Sequence, residues 1–392
     1  MAIDELNQQM SEKDMENAIS RVMSRIDAVN TLYIQKIATQ VKKIGELSQS
    51  NINRLVIMSE MNANIAEITL RLQLATGLNV RDLYSVFNQA LNDAYTDPRF
   101  SVYLQDHPMT AQSKERLNNY ARLISVQTAQ SMVNYSNTTA VSSTYKDVVD
   151  KAIIAVSTGI GDYKSVMRGA IQELGSNGLQ VNYASGYHRR LDSAIRQNII
   201  NGANQLAQNA SLLMGEELGY DAVELSAHAR SAPDHEPVQG RVFLKSEFEK
   251  MQAGFDFVDI DGHRYEGFKR PIGEWNCMHI AMAFSTQHSV RRYTDKQLSE
   301  WAAANAAGCE INGKHYSIYQ AVQLMRTMET EVRCQKDVAI AAAAAGDDVL
   351  RQKCQLRIDS AAKSYTRVAQ IAGITPRRDR MSVEGFRAIK VH

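Results

Sequence analysis

The sequence has few of the features that mark secreted, membrane-spanning or loop-rich proteins. Its 392 residues include only six prolines, too few for long proline-rich linkers. No run approaches the roughly 18 apolar residues that a membrane-spanning helix needs. The four cysteines, Cys277, Cys309, Cys334 and Cys354, form no CxxC pair. Their separation argues against a disulfide framework and fits a reducing compartment.

Neither sign of charge dominates, because 44 lysines and arginines stand against 43 aspartates and glutamates. A balanced chain is unlike a protein whose whole surface is built to bind nucleic acid. Residues 1–14 are polar and acidic, without the basic start and apolar run of a signal peptide. We therefore expect a soluble protein that stays in the cytoplasm in which it is made.

Residues 1–220 have the apolar periodicity of long helices. Ten apolar residues near the start recur at spacings of three and four, which places them on one face of a helix. They are Met15, Ile19, Val22, Ile26, Val29, Tyr33, Ile37, Val41, Ile44 and Leu47. This face packs either against the next helix of the same chain or against another subunit in a coiled coil. Further helices are expected at 51–75, 79–94, 113–134, 146–158, 162–174 and 187–215, with a loop rich in Ser, Thr and Asn at 135–145.

The pattern changes after Gly219, where short alternating segments predict β-strands. These segments are 221–226, 242–243, 255–260 and 263–265. Asp261 and Gly262 separate the last two segments and predict a tight hairpin turn. Helical patterns return after residue 295.

The predicted fold is therefore mainly α with a small α+β module. We expect a helical arm at 1–186, a long helix with a compact His/Cys module at 187–295, and helices at 296–392 that pack on the module. Arg326, Glu329 and Arg333 share one face of a C-terminal helix. They form either a solvated salt-bridge ladder or a polar clasp against the module.

Histidine and cysteine side chains concentrate in the module. His228, His235, Cys277 and His279 are residue types that bind zinc, and four such ligands would complete a structural site. Their spacing is not that of a zinc finger. Cys277 and His279, two residues apart, lie on the same side only if the chain there is extended. The alternative is that these side chains hydrogen-bond to one another in a loop-rich module and hold no metal.

The same segments contain the residue types of a His-Asn-His nuclease, namely Asp234, His235, Asn276 and His279. In such a site a histidine activates water, and a metal ion stabilises the departing phosphate oxygen. The two strands and helix that surround such a site are not convincingly present in this sequence. A metal-dependent nuclease or other hydrolase acting on DNA is therefore the alternative to a structural role.

A longer motif runs through both segments. It consists of Ser226, His228, Arg230, His235, Gln239, Gly240, Val242 and Phe243, followed by Gly273, Asn276, Cys277 and His279. This motif resembles the minor capsid protein 2 family of tailed bacteriophages, a relative of the Mu F-like head morphogenesis proteins. The resemblance covers residues 187–392, where it extends to Arg326, Glu329, Arg333, Lys336, Asp347, Tyr365 and residues 377–386.

The resemblance implies a structural, non-enzymatic, low-copy protein of the virion, located inside the phage head at the portal vertex. Its implied partners are the portal protein and, during assembly in the host cytoplasm, the scaffold and the major capsid protein. The arm at 1–186 would dock on the portal or scaffold, and some relatives enter the host with the DNA. In the alternative function, a nuclease would act on DNA at the portal.

The resemblance transfers no catalytic residue and implies no cofactor. The motif residues are therefore signature positions of unknown role, and zinc stays a hypothesis from residue types alone. They are His228, Arg230, His235, Gln239, Gly240, Asn276, Cys277 and His279. A separate hypothesis is that Arg377, Arg378 and Arg380 contact DNA phosphates in a salt-dependent way.

Overall fold

A computed structural model of the chain describes residues 3–46, 54–77, 83–84, 110–158, 163–183, 185–273 and 277–391. Within these ranges the fold is mainly helical with a few small antiparallel sheets, as the sequence predicts. The helices are α1 (Ile3–Glu46), α2 (Arg54–Gly77), α3 (Ala111–Thr138), α4 (Val141–Thr158), α5 (Tyr163–Asn177), α6 (Leu191–Glu217), α7 (Lys245–Gln252), α8 (Asp295–Ala307), α9 (Ile318–Ala345) and α10 (Asp348–Ile371). The strands are β1 (Gln180–Asn182), β2 (His188–Arg190), β3 (Ala222–Leu225), β4 (Val242–Leu244), β5 (Phe257–Val258), β6 (Arg264–Tyr265), β7 (Ala281–Phe284), β8 (Cys309–Ile311) and β9 (Lys314–Tyr316). None of the described helices is long and apolar enough to cross a membrane.

The described residues belong to two compact units, and each unit is built from separated stretches of the chain. The first unit takes residues 1–18, 80–129 and 197–321, and the second takes residues 19–79, 130–196 and 322–392. The predicted division at residues 186 and 295 instead follows chain order. The predicted division assigns functions to stretches of sequence, and it stays a prediction.

The apolar face of α1 is buried inside the second unit. Six of its residues are at most 1% exposed, namely Val22, Ile26, Tyr33, Ile37, Val41 and Ile44. The Lys36 ammonium donates to Asn64 of α2 at 2.9 Å, and the Asn64 amide donates to the Tyr145 hydroxyl of α4 at 2.9 Å. The face therefore packs within its own chain, as the first of the two alternatives predicts. The side chains of Met15, Ile19 and Leu47 lie outside the described residues.

Some predicted boundaries differ from the structure. The loop predicted at 135–145 is wrong, because α3 continues to Thr138 and α4 begins at Val141. The Thr139 hydroxyl donates to the Tyr135 carbonyl at 2.6 Å. This hydroxyl therefore supplies a hydrogen bond to a carbonyl in the last turn of α3 and does not end the helix earlier. The helix predicted at 79–94 lies almost entirely outside the described residues.

The first unit contains a three-stranded antiparallel sheet in the order β4-β3-β7. Val223 in the central strand pairs with Phe243 on one side and with Ala283 on the other. An apolar cluster around Phe243, Phe257 and Met251 packs beside the sheet. Strands β5 and β6 form the predicted hairpin, in which Gly262 has a φ of 85° that favours glycine.

A buried network of charged side chains lies in the second unit. Arg190, at the end of β2, donates to Asp337 of α9 at 2.7 Å and lies 3.3 Å from Asp192, at the start of α6. Arg333 of α9 also donates to Asp192, and Asn30 of α1 donates to Asp337 at 3.2 Å. The network therefore joins α1, α6, α9 and the β1–β2 hairpin.

This network corrects the interpretation of Arg333. Its partner Asp192 lies neither on α9 nor in the module, so Arg333 belongs to no ladder along its helix and to no clasp against the module. Glu329 accepts a hydrogen bond from the Tyr365 hydroxyl of α10 at 3.0 Å. These side chains connect elements that are distant in sequence, which helical periodicity alone does not reveal.

Candidate functional site

A loop between β3 and β4 carries the first half of the motif. The two ends of the loop lie side by side. Gly240 N–H donates to the Leu225 carbonyl at 3.1 Å, and Leu225 N–H donates to the Arg241 carbonyl at 2.9 Å. Gly240 has a φ of 66°, and a Cβ there would lie 2.7 Å from a methyl group of Leu298. Both observations require glycine where the motif has it.

Cys277 and His279, in the second half of the motif, lie in a segment that leads into β7. Ser226 N–H donates to the Ile280 carbonyl at 2.9 Å, and Ile280 N–H donates to the Ser226 hydroxyl at 2.9 Å. These bonds align the segment with the start of the β3–β4 loop. Cys277 and His279 lie on the same side of this segment, because Cys277 Sγ is 3.5 Å from His279 Nδ1. Both side chains face the loop, where they contact His235 and Gln239.

Three side chains of the predicted zinc set come together in the interior. His235 Nδ1 lies 3.2 Å from Cys277 Sγ, and His279 Nδ1 lies 3.5 Å from the same sulfur. His235, Cys277 and His279 are buried, at 0%, 2% and 2% exposure. One ligand atom of each lies within 4.8 Å of the others, so these three residues form a candidate metal centre.

His228 occupies a different place from the other three. Its ring stacks on the ring of His279, with centroids 4.5 Å apart and an angle of 16° between the planes. Its backbone N–H donates to Gln239 Oε1 at 3.0 Å, and the same oxygen lies 3.3 Å from His279 Nε2. His228 and Gln239 therefore hold His279 in position, and the convergent ligand set contains three of the four predicted residues.

Two residues that the sequence analysis did not single out complete the surroundings. The Arg270 carbonyl lies 2.8 Å from His235 Nε2, and the Ser231 hydroxyl lies 3.4 Å from His279 Nε2. Ser231 stands inside the motif and is fully buried, so its place in the motif was an available signal. A backbone carbonyl such as that of Arg270 carries no side-chain signal in a sequence.

Two further residues of the predicted sets, Arg230 and Asp234, lie at the surface. The Asp234 carboxylate forms a bidentate ion pair with the Arg270 guanidinium, in which Nε and Nη2 donate at 2.9 and 2.6 Å. Asn276 lies outside the described residues.

Burial keeps the site uncharged near neutral pH. Burial and the neighbouring His228 and His235 lower the pKa of His279 to about 2. Burial and the nearby Arg230 lower the pKa of His228 to about 4, and burial also lowers the pKa of His235. Burial raises the pKa of the Cys277 thiol. The residues thus present neutral imidazoles, which bind metal ions well and accept protons from water poorly.

The contacts of His235 do not favour the nuclease hypothesis. A general base must come within hydrogen-bonding reach of the water that it activates. His235 is fully buried, and its two ring nitrogens face Cys277 and the Arg270 carbonyl. The Asp234 carboxylate is paired with the Arg270 guanidinium. The two histidines of this set are therefore buried with their ring nitrogens hydrogen-bonded to protein groups, and the exposed Asp234 is held by Arg270.

A second group of possible ligands, Asp259, Asp261 and His263, surrounds the β5–β6 turn. The Asp259 carboxylate accepts hydrogen bonds from the backbone of Asp261 and His263, from the His263 ring and from the Tyr265 hydroxyl, all at 2.9–3.0 Å. These bonds satisfy the carboxylate within the turn. This group therefore has a structural explanation without a metal ion.

Comparison with known proteins identifies the family. The sequence profile of the family described as phage minor capsid protein 2 matches residues 10–367 of the 392. No curated protein and no solved structure matches the chain at a significant level. The family match spans most of the chain and includes the whole His/Cys module, so the chain belongs to the phage minor capsid protein 2 family.

Proposed function

We propose that this chain is a low-copy structural protein located at the portal vertex inside the head of a tailed phage. The observation that carries the proposal is the family match over residues 10–367, which supports a structural role in the phage particle and contacts with other head proteins. Beyond this coarser role, we propose the location at the vertex and the portal protein as partner. We also propose additional contacts with scaffold and major capsid protein. The proposal also includes ejection of the chain together with the DNA.

The abundance of the chain in particles tests the location. Heads are assembled with and without the portal protein, and quantitative mass spectrometry measures copies of the chain relative to the major capsid protein. We expect a few copies in heads that contain portal and none in heads that lack it. Equal amounts in both kinds of head, or an amount that follows the major capsid protein, would contradict the proposal.

The same particles test departure with the DNA. Ejection is triggered in vitro, and empty heads are separated from the released material. The chain is expected in the released fraction, with the portal protein retained in the heads as the internal control. Complete retention of the chain would remove ejection from the proposal and leave its location unaffected.

The arm at residues 1–186 is the proposed docking region for the portal protein or scaffold. Its deletion is a poor test, because Asn30 of α1 bonds to Asp337 of α9 and the loss of α1 would disrupt the second unit. Leu70 and Leu74 instead expose apolar surface one turn apart on α2, at 57% and 54% exposure. A Leu70→Ser, Leu74→Ser double variant is expected to bind portal more weakly in a pull-down.

A matched control is available on α10, outside the arm. Val349 and Leu356 are 53% and 55% exposed, so a Val349→Ser, Leu356→Ser variant removes similar apolar surface elsewhere. This control should bind portal like the unmodified chain. Equal binding of both double variants would remove the α2 surface from the docking mechanism.

We propose that the role is non-enzymatic. The support is that His235 and Cys277 contact each other in the interior and that Asp234 is paired with Arg270. A plasmid-nicking assay with added divalent metal ions tests this point. The unmodified chain and a His235→Ala variant should both leave supercoiled plasmid intact. Nicking by the unmodified chain that disappears in His235→Ala would instead support the nuclease.

A further inference from the structure

Two imidazole nitrogens converge on one sulfur atom in the interior of the module. Nδ1 of His235 and Nδ1 of His279 lie 3.2 and 3.5 Å from Cys277 Sγ. The three side chains come from the β3–β4 loop and from the segment before β7, which are separated by about forty residues of sequence. Their convergence therefore depends on the tertiary fold and not on a local turn.

The hydrogen-bond partners fix which ring nitrogens carry hydrogen. The Arg270 carbonyl can only accept, so the Nε2 of His235, 2.8 Å away, donates to it and leaves Nδ1 without hydrogen. Gln239 Oε1 also can only accept, so Nε2 of His279 donates to it and leaves the second Nδ1 without hydrogen. Both bare nitrogens then direct a lone pair at the same sulfur atom.

A thiol does not satisfy both nitrogens. It has one hydrogen and can donate to one of them, which leaves the other lone pair facing the sulfur. The backbone N–H group of His279 also donates to the Cys277 sulfur, at 3.4 Å. One backbone donor and two lone pairs around one sulfur form an environment suited to a thiolate beside a cation.

We propose that His235, Cys277 and His279 bind one zinc ion through the two Nδ1 atoms and the sulfur. Zinc bonds of about 2.0–2.1 Å to nitrogen and 2.3 Å to sulfur in a tetrahedral site place nitrogen and sulfur roughly 3.6 Å apart. The observed 3.2 and 3.5 Å separations need only small adjustment to reach that value. Binding displaces the thiol proton of Cys277 to solvent, and the three side chains leave one position of the tetrahedron for a further ligand.

The surroundings of the ligands fit a metal site. In metal sites the second ring nitrogen of a histidine ligand commonly donates to a carbonyl or another fixed acceptor. Here Nε2 of His235 meets the Arg270 carbonyl, and Nε2 of His279 meets Gln239. His228 stacks on His279 and acts as a positioning residue, outside the ligand set.

The ion would have a structural purpose. It would link the β3–β4 loop to the segment before β7, at the edge of the apolar cluster that contains Cys277. A metal ion that joins two segments only in the folded chain contributes its binding free energy to folding. The inference goes beyond the proposed role in the head, and its test does not depend on portal binding.

The test measures zinc in the full-length chain purified without chelators. Cys277→Ser removes the proposed sulfur ligand, and Cys354→Ser is the matched control, since both thiols are 2% exposed and Cys354 lies in α10. We expect one zinc per chain in the unmodified protein and in Cys354→Ser, and none in Cys277→Ser. Cobalt substitution should give a sulfur-to-cobalt charge-transfer band in the first two proteins alone.

X-ray absorption on the unmodified zinc protein keeps the test independent of how Cys277→Ser folds. One sulfur with nitrogen and oxygen neighbours is expected around the ion. An unmodified protein that holds no zinc and binds no cobalt would overturn the proposal, as would zinc retained in a folded Cys277→Ser. A first shell without sulfur would also overturn it and would instead point to Asp259, Asp261 and His263.

Discussion

Loss of the Asp337 carboxylate should destabilise the second unit by roughly 3 kcal/mol. Asp337 is fully buried and accepts hydrogen bonds from Arg190 at 2.7 Å and from Asn30 at 3.2 Å. Removal of one partner from a buried ion pair typically costs about 3–5 kcal/mol, because the other charge is left without compensation. Asp192 still lies 3.3 Å from Arg190, which places Asp337→Ala at the lower end of that range.

The conservative variant separates the charge of Asp337 from its hydrogen bonds. Asp337→Asn keeps an oxygen that can accept from Arg190 and should cost about 1–2 kcal/mol, the difference between a charged and a neutral hydrogen bond. Burial together with Asp192 raises the pKa of Asp27 to about 7, and the charge of Asp337 adds to that rise. When Asp337 loses its charge, Asp27 should ionise at lower pH and offset part of the cost.

Urea denaturation followed by far-ultraviolet circular dichroism measures these losses. Both tryptophans, Trp275 and Trp301, fall in residues 197–321 of the first unit, so fluorescence follows the other unit in the same samples. Glu173→Ala is the control, because its ion pair with Lys151 is more than half exposed on both sides and should contribute less than about 1 kcal/mol. An Asp337→Ala variant as stable as Glu173→Ala would refute the reasoning.

Three further predictions concern single side chains. Burial raises the pKa of Glu224 from 4.5 to about 7, so between these values the folded state holds a proton that the unfolded state has lost. Stability should therefore fall by up to roughly 3 kcal/mol as pH rises from 4.5 to 7, and Glu224→Gln should remove that part of the fall in denaturation measured across this range. Gly240→Ala forces a positive φ on alanine and places its Cβ 2.7 Å from Leu298, so it should cost more than Gly262→Ala, which has a φ of 85° but open space. Strain alone costs about 1–2 kcal/mol, and equal melting temperatures for the two variants would contradict the steric argument. Tyr365→Phe removes the hydroxyl that accepts from the Arg377 backbone N–H at 2.7 Å. It should lower the free energy of unfolding by about 1–3 kcal/mol and speed amide exchange after residue 376. Unchanged exchange there would show that the hydroxyl does not anchor this segment.

The elements that the sequence predicts are those with local causes. The face of α1 repeats every three to four residues, and burial of Tyr33 and Ile37 follows from that period alone. The β5–β6 hairpin follows from Asp261 and Gly262, since a tight turn needs residues that tolerate positive φ. Asn312 and Gly313, with φ of 53° and 75°, offered the same signal for the β8–β9 hairpin, which the sequence analysis did not predict.

The features that escaped prediction have non-local causes. Strand β7 contains Ala and Met residues without β-branched side chains, and it is a strand because it pairs with β3. The pairing of Arg333 with Asp192 joins positions 141 residues apart. In the candidate site, residue types identified His235, Cys277 and His279 as possible ligands. The stacking of His228 on His279 depends on ring orientations that the fold fixes and the spacing does not encode.

A reconstruction of the phage head by electron cryomicroscopy, without imposed symmetry, tests the proposed role most directly. The proposal predicts density inside the head, in contact with the portal, into which the two helical units can be fitted. Density for the chain spread over the capsid lattice away from the portal, or its absence from the head, would contradict the proposed location.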